Sequence, residues 1–168
     1  MKSNNIAKGG IFAALSLILL YASSVLPTNR LSILVIASCI IPLCIMLTGV
    51  KNTLVVYGAV SLLSLFIIPS KLISIAYILI FGSYGFVKYY IEKLRKTPLE
   101  IVLKLLYFNL TSFIIVFLYK LVLLKIPNVN INIYLLIVLM EIAFVVYDYV
   151  LTAFISYARK NLIKKLNK

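Results

Sequence analysis

The chain is divided into long apolar blocks, each close to the length that a helix needs to cross a bilayer. A spanning helix takes about 20 apolar residues, and six such blocks follow one another: 7–26, 31–50, 53–68, 72–91, 99–124 and 133–157. Only 12% of the 168 residues are charged, and a small water-soluble fold could not cover the apolar surface of the rest. The sequence therefore predicts an all-α polytopic membrane bundle of six transmembrane helices, formed by a single integral membrane domain over residues 1–168.

Basic residues are distributed unequally between the two sides of these blocks. Thirteen of the 17 Lys and Arg residues fall on the side of the membrane that would carry both termini. Four fall on the opposite side: Arg30, Lys71, Lys120 and Lys125. Loops rich in Lys and Arg stay in the cytoplasm. We therefore expect a multi-pass protein of the bacterial plasma membrane with both termini cytoplasmic. A re-entrant hairpin is the alternative for the second and third blocks.

The formal net charge of +13 would indicate a nucleic-acid partner in a soluble protein. Here the basic residues lie between apolar blocks and in the tail, where they would contact anionic lipid headgroups. We expect the lipid bilayer, and no nucleic acid, to be the partner of these charges. The chain has no histidine, and Cys39 and Cys44 would point about 140° apart on a helix. We therefore expect no disulfide, metal site or cofactor.

Two of the four acidic residues lie near the ends of apolar blocks, beside lysines. Glu92 follows Lys88 by four residues, and Glu100 precedes Lys104 by four. This spacing brings side chains together on a helix surface. The sequence therefore predicts two ion pairs at the cytoplasmic boundary, Lys88 with Glu92 and Glu100 with Lys104.

The other two acidic residues, Glu141 and Asp148, fall inside the sixth block. Their seven-residue spacing places them on one helix face, about 10 Å apart, and the same face would carry Tyr134, Thr152 and Arg159. A charged side chain at mid-membrane costs roughly 2.5–3.5 kcal/mol, so it normally faces a partner or a cavity. We expect Asp148 to form a buried polar pair with Lys104, the alternatives being Lys88 or a tyrosine hydroxyl.

Glu141 lies nearer the outer half, where polar side chains collect around the ends of the blocks. Lys120 is the basic residue of the fifth block that would lie nearest to it. We expect Glu141 to face a cavity that opens outwards, and an unidentified small molecule to bind there through Glu141, Tyr134, Asn130 and Arg30. The alternative is a polar loop with an interfacial tyrosine, since aromatic belts form at this depth.

Small residues recur at four-residue spacing in the first block, where Gly9 and Gly10 precede Ala13 and Ala14. Such patterns let two helices touch along their backbones. We consider both internal packing and the docking of Gly10, Ala13 and Ala14 onto a separate membrane protein.

Three other features predict local structure in the second to fourth blocks. Gly82 and Gly85 predict close helix contact. Pro42 predicts a kink unless neighbouring groups satisfy the freed carbonyl. A tight turn is expected at residues 51–52.

Six spans, cytoplasmic ends and the segment Gly-Gly-Ile-Phe-Ala-Ala-Leu-Ser at residues 9–16 resemble the substrate-binding S components of energy-coupling-factor transporters. The short third block and the basic loop before the fifth also fit. The resemblance implies that Gly10, Ala13 and Ala14 dock onto a transmembrane coupling subunit that works with ATPases. It also implies a vitamin or metal-ion site near the extracellular side. The whole chain is similar in layout but only residues 10–14 in motif, and no ligand-binding residues carry over.

Two functions of other classes are weighed against this carrier function. The rod-shape MreD proteins have a similar size and layout and act as membrane scaffolds. An intramembrane enzyme would need a nucleophile or a metal set, and the chain has no histidine, no pair of aspartates on facing helices and no G-x-S-x-G elbow. We therefore expect no enzymatic activity.

Overall fold

In the computed structural model, residues 3–26, 28–123 and 133–163 are described, with side chains over 3–26, 28–118 and 135–161. This part of the chain is helical and contains no strand. The main helices are α1 (Ser3–Val25), α2 (Arg30–Thr48), α3 (Val50–Ile67), α4 (Lys71–Glu92), α5 (Thr97–Leu123) and α6 (Ile133–Ala158). A π-helical segment, Tyr77–Gly82, lies inside α4, and a second one, Arg159–Ile163, extends α6.

Within the described ranges, these six helices are long and apolar enough to cross a membrane. They have 18 to 27 residues, or about 27–40 Å at 1.5 Å per residue, against a hydrocarbon core of about 30 Å. Large apolar side chains point outwards, among them Phe66, which is 84% exposed. The predicted all-helical architecture is confirmed, with six helices long and apolar enough to cross a membrane, and α2 and α3 are two separate helices.

The turn between α2 and α3 consists of one residue, Gly49, with φ 84° and ψ 162°. This backbone region is essentially open only to glycine. The turn predicted at residues 51–52 is therefore misplaced by a few residues. Asn52 lies in the first turn of α3, where its Nδ2 donates to the backbone oxygen of Asn5 in α1 at 2.8 Å.

The other described connections use capping groups suited to helix ends. Lys71, the first residue of α4, donates its Nζ to the backbone oxygens of Leu65 (2.5 Å) and Ile68 (3.3 Å) at the end of α3. Those carbonyls have no partner within their own helix. Pro98 lies in the first turn of α5, where its missing N–H is not needed. Helix α2 continues through Pro42 without ending.

The glycines of α4 bring this helix close to α2 and α3, as the sequence predicts. A Cβ atom on Gly85 would lie 2.7 Å from Ile41 Cγ2, and one on Gly82 would lie 2.8 Å from the ring of Tyr57. Gly9 of α1 has a similar role, because a Cβ there would lie 3.0 Å from Val56 Cγ2 of α3. Small residues therefore set the distances between α1 and α3, and between α4 and its two neighbours.

Candidate functional site: a buried charge cluster between the fourth, fifth and sixth helices

Charged side chains from three helices meet inside the bundle. Helix α4 contributes a row at four-residue spacing, Tyr84, Lys88 and Glu92, so the three side chains lie on one helix face. Helix α5 contributes Lys104, and α6 contributes Asp148 and Thr152. These six residues are called the charge cluster below.

Lys88 is the centre of the charge cluster, and its side chain is 1% exposed. Its Nζ contacts Asp148 Oδ1, Thr152 Oγ1 at 2.7 Å and Glu92 Oε1 at 2.9 Å. A lysine ammonium has three N–H donors and no acceptor. The ammonium donates hydrogen bonds to Asp148 Oδ1, to Thr152 Oγ1 and, at 3.4 Å, to the backbone oxygen of Asp148, while Glu92 adds a second ion pair.

Asp148 is bound from both sides. Its Oδ1 also accepts a hydrogen bond from the hydroxyl of Tyr84 at 2.7 Å, and its Oδ2 lies 3.0 Å from Lys104 Nζ. Lys104 in turn reaches Glu92 Oε1 at 3.3 Å. Asp148 is 22% exposed in the isolated chain and Glu92 35%, so the charge cluster is more exposed at Glu92 than at Asp148.

Two lysines and two carboxylates give the charge cluster a net charge of zero. A charge buried in a low-dielectric interior is tolerated when it is paired and hydrogen-bonded, and removing one partner leaves an uncompensated charge. The contacts also connect α4, α5 and α6 across the interior of the bundle. The charge cluster therefore fixes the relative positions of three helices.

The predicted Lys104 and Asp148 are in direct contact, and the two alternative partners of Asp148, Lys88 and a tyrosine hydroxyl, bind it as well. The predicted Lys88–Glu92 pair is confirmed. The predicted Glu100–Lys104 pair is wrong, because Lys104 turns towards α4 and α6. In the described ranges Glu100 forms no ion pair.

The sequence does not predict that Lys88 is the most buried charge among the described side chains, or that the hydroxyl of Tyr84 joins the same cluster. The available signal was the row of three polar side chains at four-residue spacing in α4. That spacing predicts an ion pair between Lys88 and Glu92, but it does not show that the pair is buried. A lysine can bury its long apolar stem while its head meets acceptors, so the position of Lys88 near the end of an apolar block does not distinguish a boundary pair from a buried one.

The π-helical segment of α4 lies directly before the residues that enter the charge cluster. A π-helical turn accommodates an extra residue and is frequent at functional sites. Its carbonyls accept hydrogen bonds from neighbouring helices: Tyr57 donates to the oxygen of Ile78 at 2.7 Å, and Tyr107 to that of Leu79 at 2.8 Å. These contacts hold the irregular turn and thereby orient Tyr84 and Lys88.

Glu141 lies on the same helix as Asp148 but outside the charge cluster. Its Oε1 is 3.5 Å from Asn109 Nδ2, and Asn109 also donates to its own helix at the oxygen of Leu105 at 3.0 Å. The side chain of Glu141 is half-buried. Lys120, its predicted neighbour, has a side chain outside the described residues.

The other predicted ligand-binding residues are brought together only in part. Arg30 is exposed at the start of α2, and its backbone oxygen accepts a hydrogen bond from Ser23 Oγ at 3.0 Å. Tyr134 lies in the first turn of α6, with its side chain outside the described residues, and Asn130 lies outside them altogether. No contact between Arg30 and Glu141 occurs over the side chains that are described.

The predicted docking residues of α1 lie on different faces. Gly10 is exposed, with no atom within 4 Å of an added Cβ, and Ala14 is also exposed. Ala13 is half-buried and packs against the core formed by α1 to α4. The structure therefore places Gly10 and Ala14 on the outer face and Ala13 on the flank of the internal contact.

No group of three or more His, Cys, Asp or Glu side chains that could hold a metal ion occurs in the described part of the chain. Cys39 and Cys44 are both buried free thiols. The chemistry that the charge cluster offers is therefore that of fixed ammonium, carboxylate and hydroxyl groups.

Comparison of the chain with family models, curated proteins and solved structures gives no match.

Proposed function

We propose that the protein is a bacterial plasma-membrane subunit that binds a small molecule for transport and works with a coupling complex, in the manner of the S components that its layout resembles. One observation carries the proposal. Two carboxylates lie on α6, and Asp148 is neutralised by Lys88 and Lys104, whereas Glu141 lies outside the charge cluster.

Asp148 and Glu141 differ in their contacts, and we infer from this difference that Asp148 has a structural role and Glu141 a binding role. Both carboxylate oxygens of Asp148 are bound by other members of the charge cluster. Glu141 has a 3.5 Å contact with an amide, and an ionisable side chain inside a membrane protein normally faces a partner or a cavity. We expect Glu141 to bind a cationic or hydrogen-bond-donating group of the ligand, together with Arg30, Asn130 and Tyr134.

The binding role is tested on small molecules that stay bound to the protein during purification. The purified protein is denatured, and the released compounds are identified by mass spectrometry. Glu141→Gln should reduce the retained compound at least about tenfold while the melting temperature in detergent stays unchanged. Glu100→Gln, a matched change outside the proposed site, should retain the compound fully. Equal retention in all three proteins would contradict the site.

The partner is tested by affinity purification from native membranes. A coupling subunit with its ATPases should co-purify with the wild type and with Ile18→Leu, a volume-conserving change on the exposed side of α1. Gly10→Leu should abolish the association without unfolding the bundle. No atom of another helix lies within 4 Å of a Cβ added at Gly10, and a bulky side chain would separate docked backbones. Recovery of cell-wall machinery instead would favour the MreD-like scaffold.

The orientation is tested by cysteine labelling in a background with Cys39 and Cys44 replaced by alanine. Cysteines at Asn29 and Ser70 should react with an impermeant reagent from outside the cell, because both lie on the side with few basic residues. Cysteines at Arg95 and Thr97 should react only after the membrane is permeabilised. The opposite pattern would invert the proposed topology.

A further inference from the structure

A cavity of about 560 Å³ lies at the end of the bundle that carries most of the basic loops. It opens between the C-terminal ends of α2, α4 and α6, and Gly49 and the loop after α4 form its edge. The volume is in the range of sites that hold small organic molecules. It is at the opposite end of α6 from the predicted site around Tyr134.

The cavity has an apolar wall and a basic rim. Ile45 and Met46 of α2 and Ile155 of α6 form part of the wall, and the rim carries Lys93, Arg95 and Arg159. Such a surface matches a molecule with an apolar body and a charged head. The apolar wall and the basic rim belong to the same cavity.

No described carboxylate neutralises the basic rim. Glu92 is the carboxylate that lines the cavity, and its Oε1 is already bound by Lys88 and Lys104. Over the described side chains, Lys93, Arg95 and Arg159 form no ion pair. The cavity therefore has an excess of positive charge and favours an anion.

Arg95 has a backbone conformation that arginine rarely adopts. Its φ is 54°, in the left-handed region, two residues after the cap of α4. Glycine is the usual residue at such a position after a helix. Here the chain carries a long cationic side chain where glycine would be favoured, and that side chain lines the cavity.

A second cavity of about 320 Å³ adjoins the first and shares Glu92, Ile155 and Arg159 with it. Lys160 lines this second space. Arg159 therefore lines both cavities, and Lys160 is the adjacent cation. The positive charge continues from the loop after α4 to the end of α6.

We propose that this cavity binds an amphiphilic anion, a phosphate or carboxylate head on an apolar body, with Arg95 and Arg159 holding the head and Ile45, Met46 and Ile155 contacting the body. The head belongs either to an anionic membrane lipid or to a free organic anion. The site does not depend on the proposed transport function, because it shares none of the residues assigned to the outward ligand site.

The site is tested with purified full-length protein in mixed micelles of phosphatidylcholine and phosphatidylglycerol in equal amounts. Native mass spectrometry counts the lipids that remain bound. The wild type should retain phosphatidylglycerol in preference to phosphatidylcholine. Arg95→Gln and Arg159→Gln should each lower that preference about fivefold, the effect expected for one basic residue near an anionic lipid. Lys96→Gln, a change in the same exposed loop but outside the cavity lining, should leave it unchanged.

Soluble probes distinguish the two sources of the anion. Inorganic phosphate and a short-chain phosphatidic acid are added separately to protein in phosphatidylcholine nanodiscs, and the melting temperature is measured. A lipid site is supported if phosphatidylglycerol is retained and the short-chain phosphatidic acid, but not inorganic phosphate, raises the melting temperature. A free-anion site is supported if inorganic phosphate raises the melting temperature of the wild type and of Lys96→Gln but not of Arg95→Gln. Equal behaviour of the Arg95, Arg159 and Lys96 variants in both assays would overturn the proposal.

Arg95→Gly separates binding from folding. Glycine removes the strain of the left-handed conformation, so this variant should melt at or above the temperature of the wild type. Its preference for phosphatidylglycerol should nevertheless fall about fivefold. A variant that melts lower and binds normally would show that Arg95 serves the fold alone.

Discussion

Helices α1 to α3 pack through small residues and hydroxyl groups, whereas α4 to α6 meet around ions and aromatic rings. In the first half, the buried hydroxyl of Ser16 donates to the oxygen of Phe12 in its own helix, and that of Thr53 to the oxygen of Gly49 in the preceding turn, at 2.9 Å each. In the second half, Phe108 of α5 stacks on Phe144 of α6 at 4.4 Å between ring centroids. The charge cluster lies in this second half.

The difference follows from how closely the backbones approach. In a bilayer, apolar side chains gain little by leaving lipid, so helices associate through close packing or through polar contacts. Gly9 lets α1 and α3 touch directly. Helices α5 and α6 have large side chains between them, and long groups such as Lys104 must bridge the gap to Asp148. Close packing therefore holds one half of the bundle, and charge-assisted hydrogen bonds hold the other.

The largest effect should come from breaking the charge cluster. Asp148→Asn removes the carboxylate that both lysines share, and removing one partner of a buried pair costs about 3–5 kcal/mol. We expect a large fall in the melting temperature measured in detergent. Glu141→Gln, the matched change outside the charge cluster, should leave the melting temperature unchanged.

A double variant tests whether the loss is due to uncompensated charge. Replacing both partners of a buried ion pair by apolar residues is often neutral. Lys88→Met combined with Asp148→Leu should therefore recover much of the stability that Asp148→Asn loses, since Lys104 keeps Glu92 as its partner. If the double variant is less stable than Asp148→Asn, the charge cluster acts through its geometry rather than through charge balance.

A smaller effect should come from the contact between the two halves. A Cβ on Gly85 would lie 2.7 Å from Ile41 Cγ2 and 3.2 Å from Pro42 Cδ, and overpacking of this kind costs about 1–3 kcal/mol. Gly85→Ala should therefore lower the melting temperature. Gly58→Ala is the control, because no atom lies within 4 Å of an added Cβ there. Equal melting temperatures would mean that α2 and α4 can separate without loss.

The smallest effect should come from a hydroxyl bond at the edge of the first half. Ser74 of α4 donates to the backbone oxygen of Ser64 in α3 at 2.9 Å, and both residues are buried. Hydrogen bonds between membrane helices contribute about 0.6 kcal/mol on average. Ser74→Ala should cost about that much, and Ser32→Ala, at an exposed position of α2, nothing. If Ser74→Ala lost as much stability as Asp148→Asn, the charge cluster would no longer distinguish α4 to α6 from α1 to α3.

Sequence reasoning found the features that depend on local pattern. The apolar blocks predicted six helices, and the four-residue spacing of Lys88 and Glu92 predicted their ion pair. The requirement that Asp148 have a partner followed from its depth in the membrane alone. The turn at Gly49 was misplaced, because a polar pair was read as the turn and the conformational freedom of glycine was overlooked.

The choice of partners was decided by tertiary structure. Asp148 binds Lys88, Lys104 and Tyr84 together because α4 and α5 both bring these side chains to the same position along α6. Neither the rotation of a helix about its axis nor the π-helical segment of α4 is encoded in hydropathy. The rotation of α1 about its own axis likewise decides that Gly9, and not the adjacent Gly10, faces α3. The amino-acid sequence by itself determined that the chain forms apolar helices with buried charges that need partners. The packing of those helices decided which charges meet and which arginines are left facing a cavity, because both depend on distances between segments far apart in the chain.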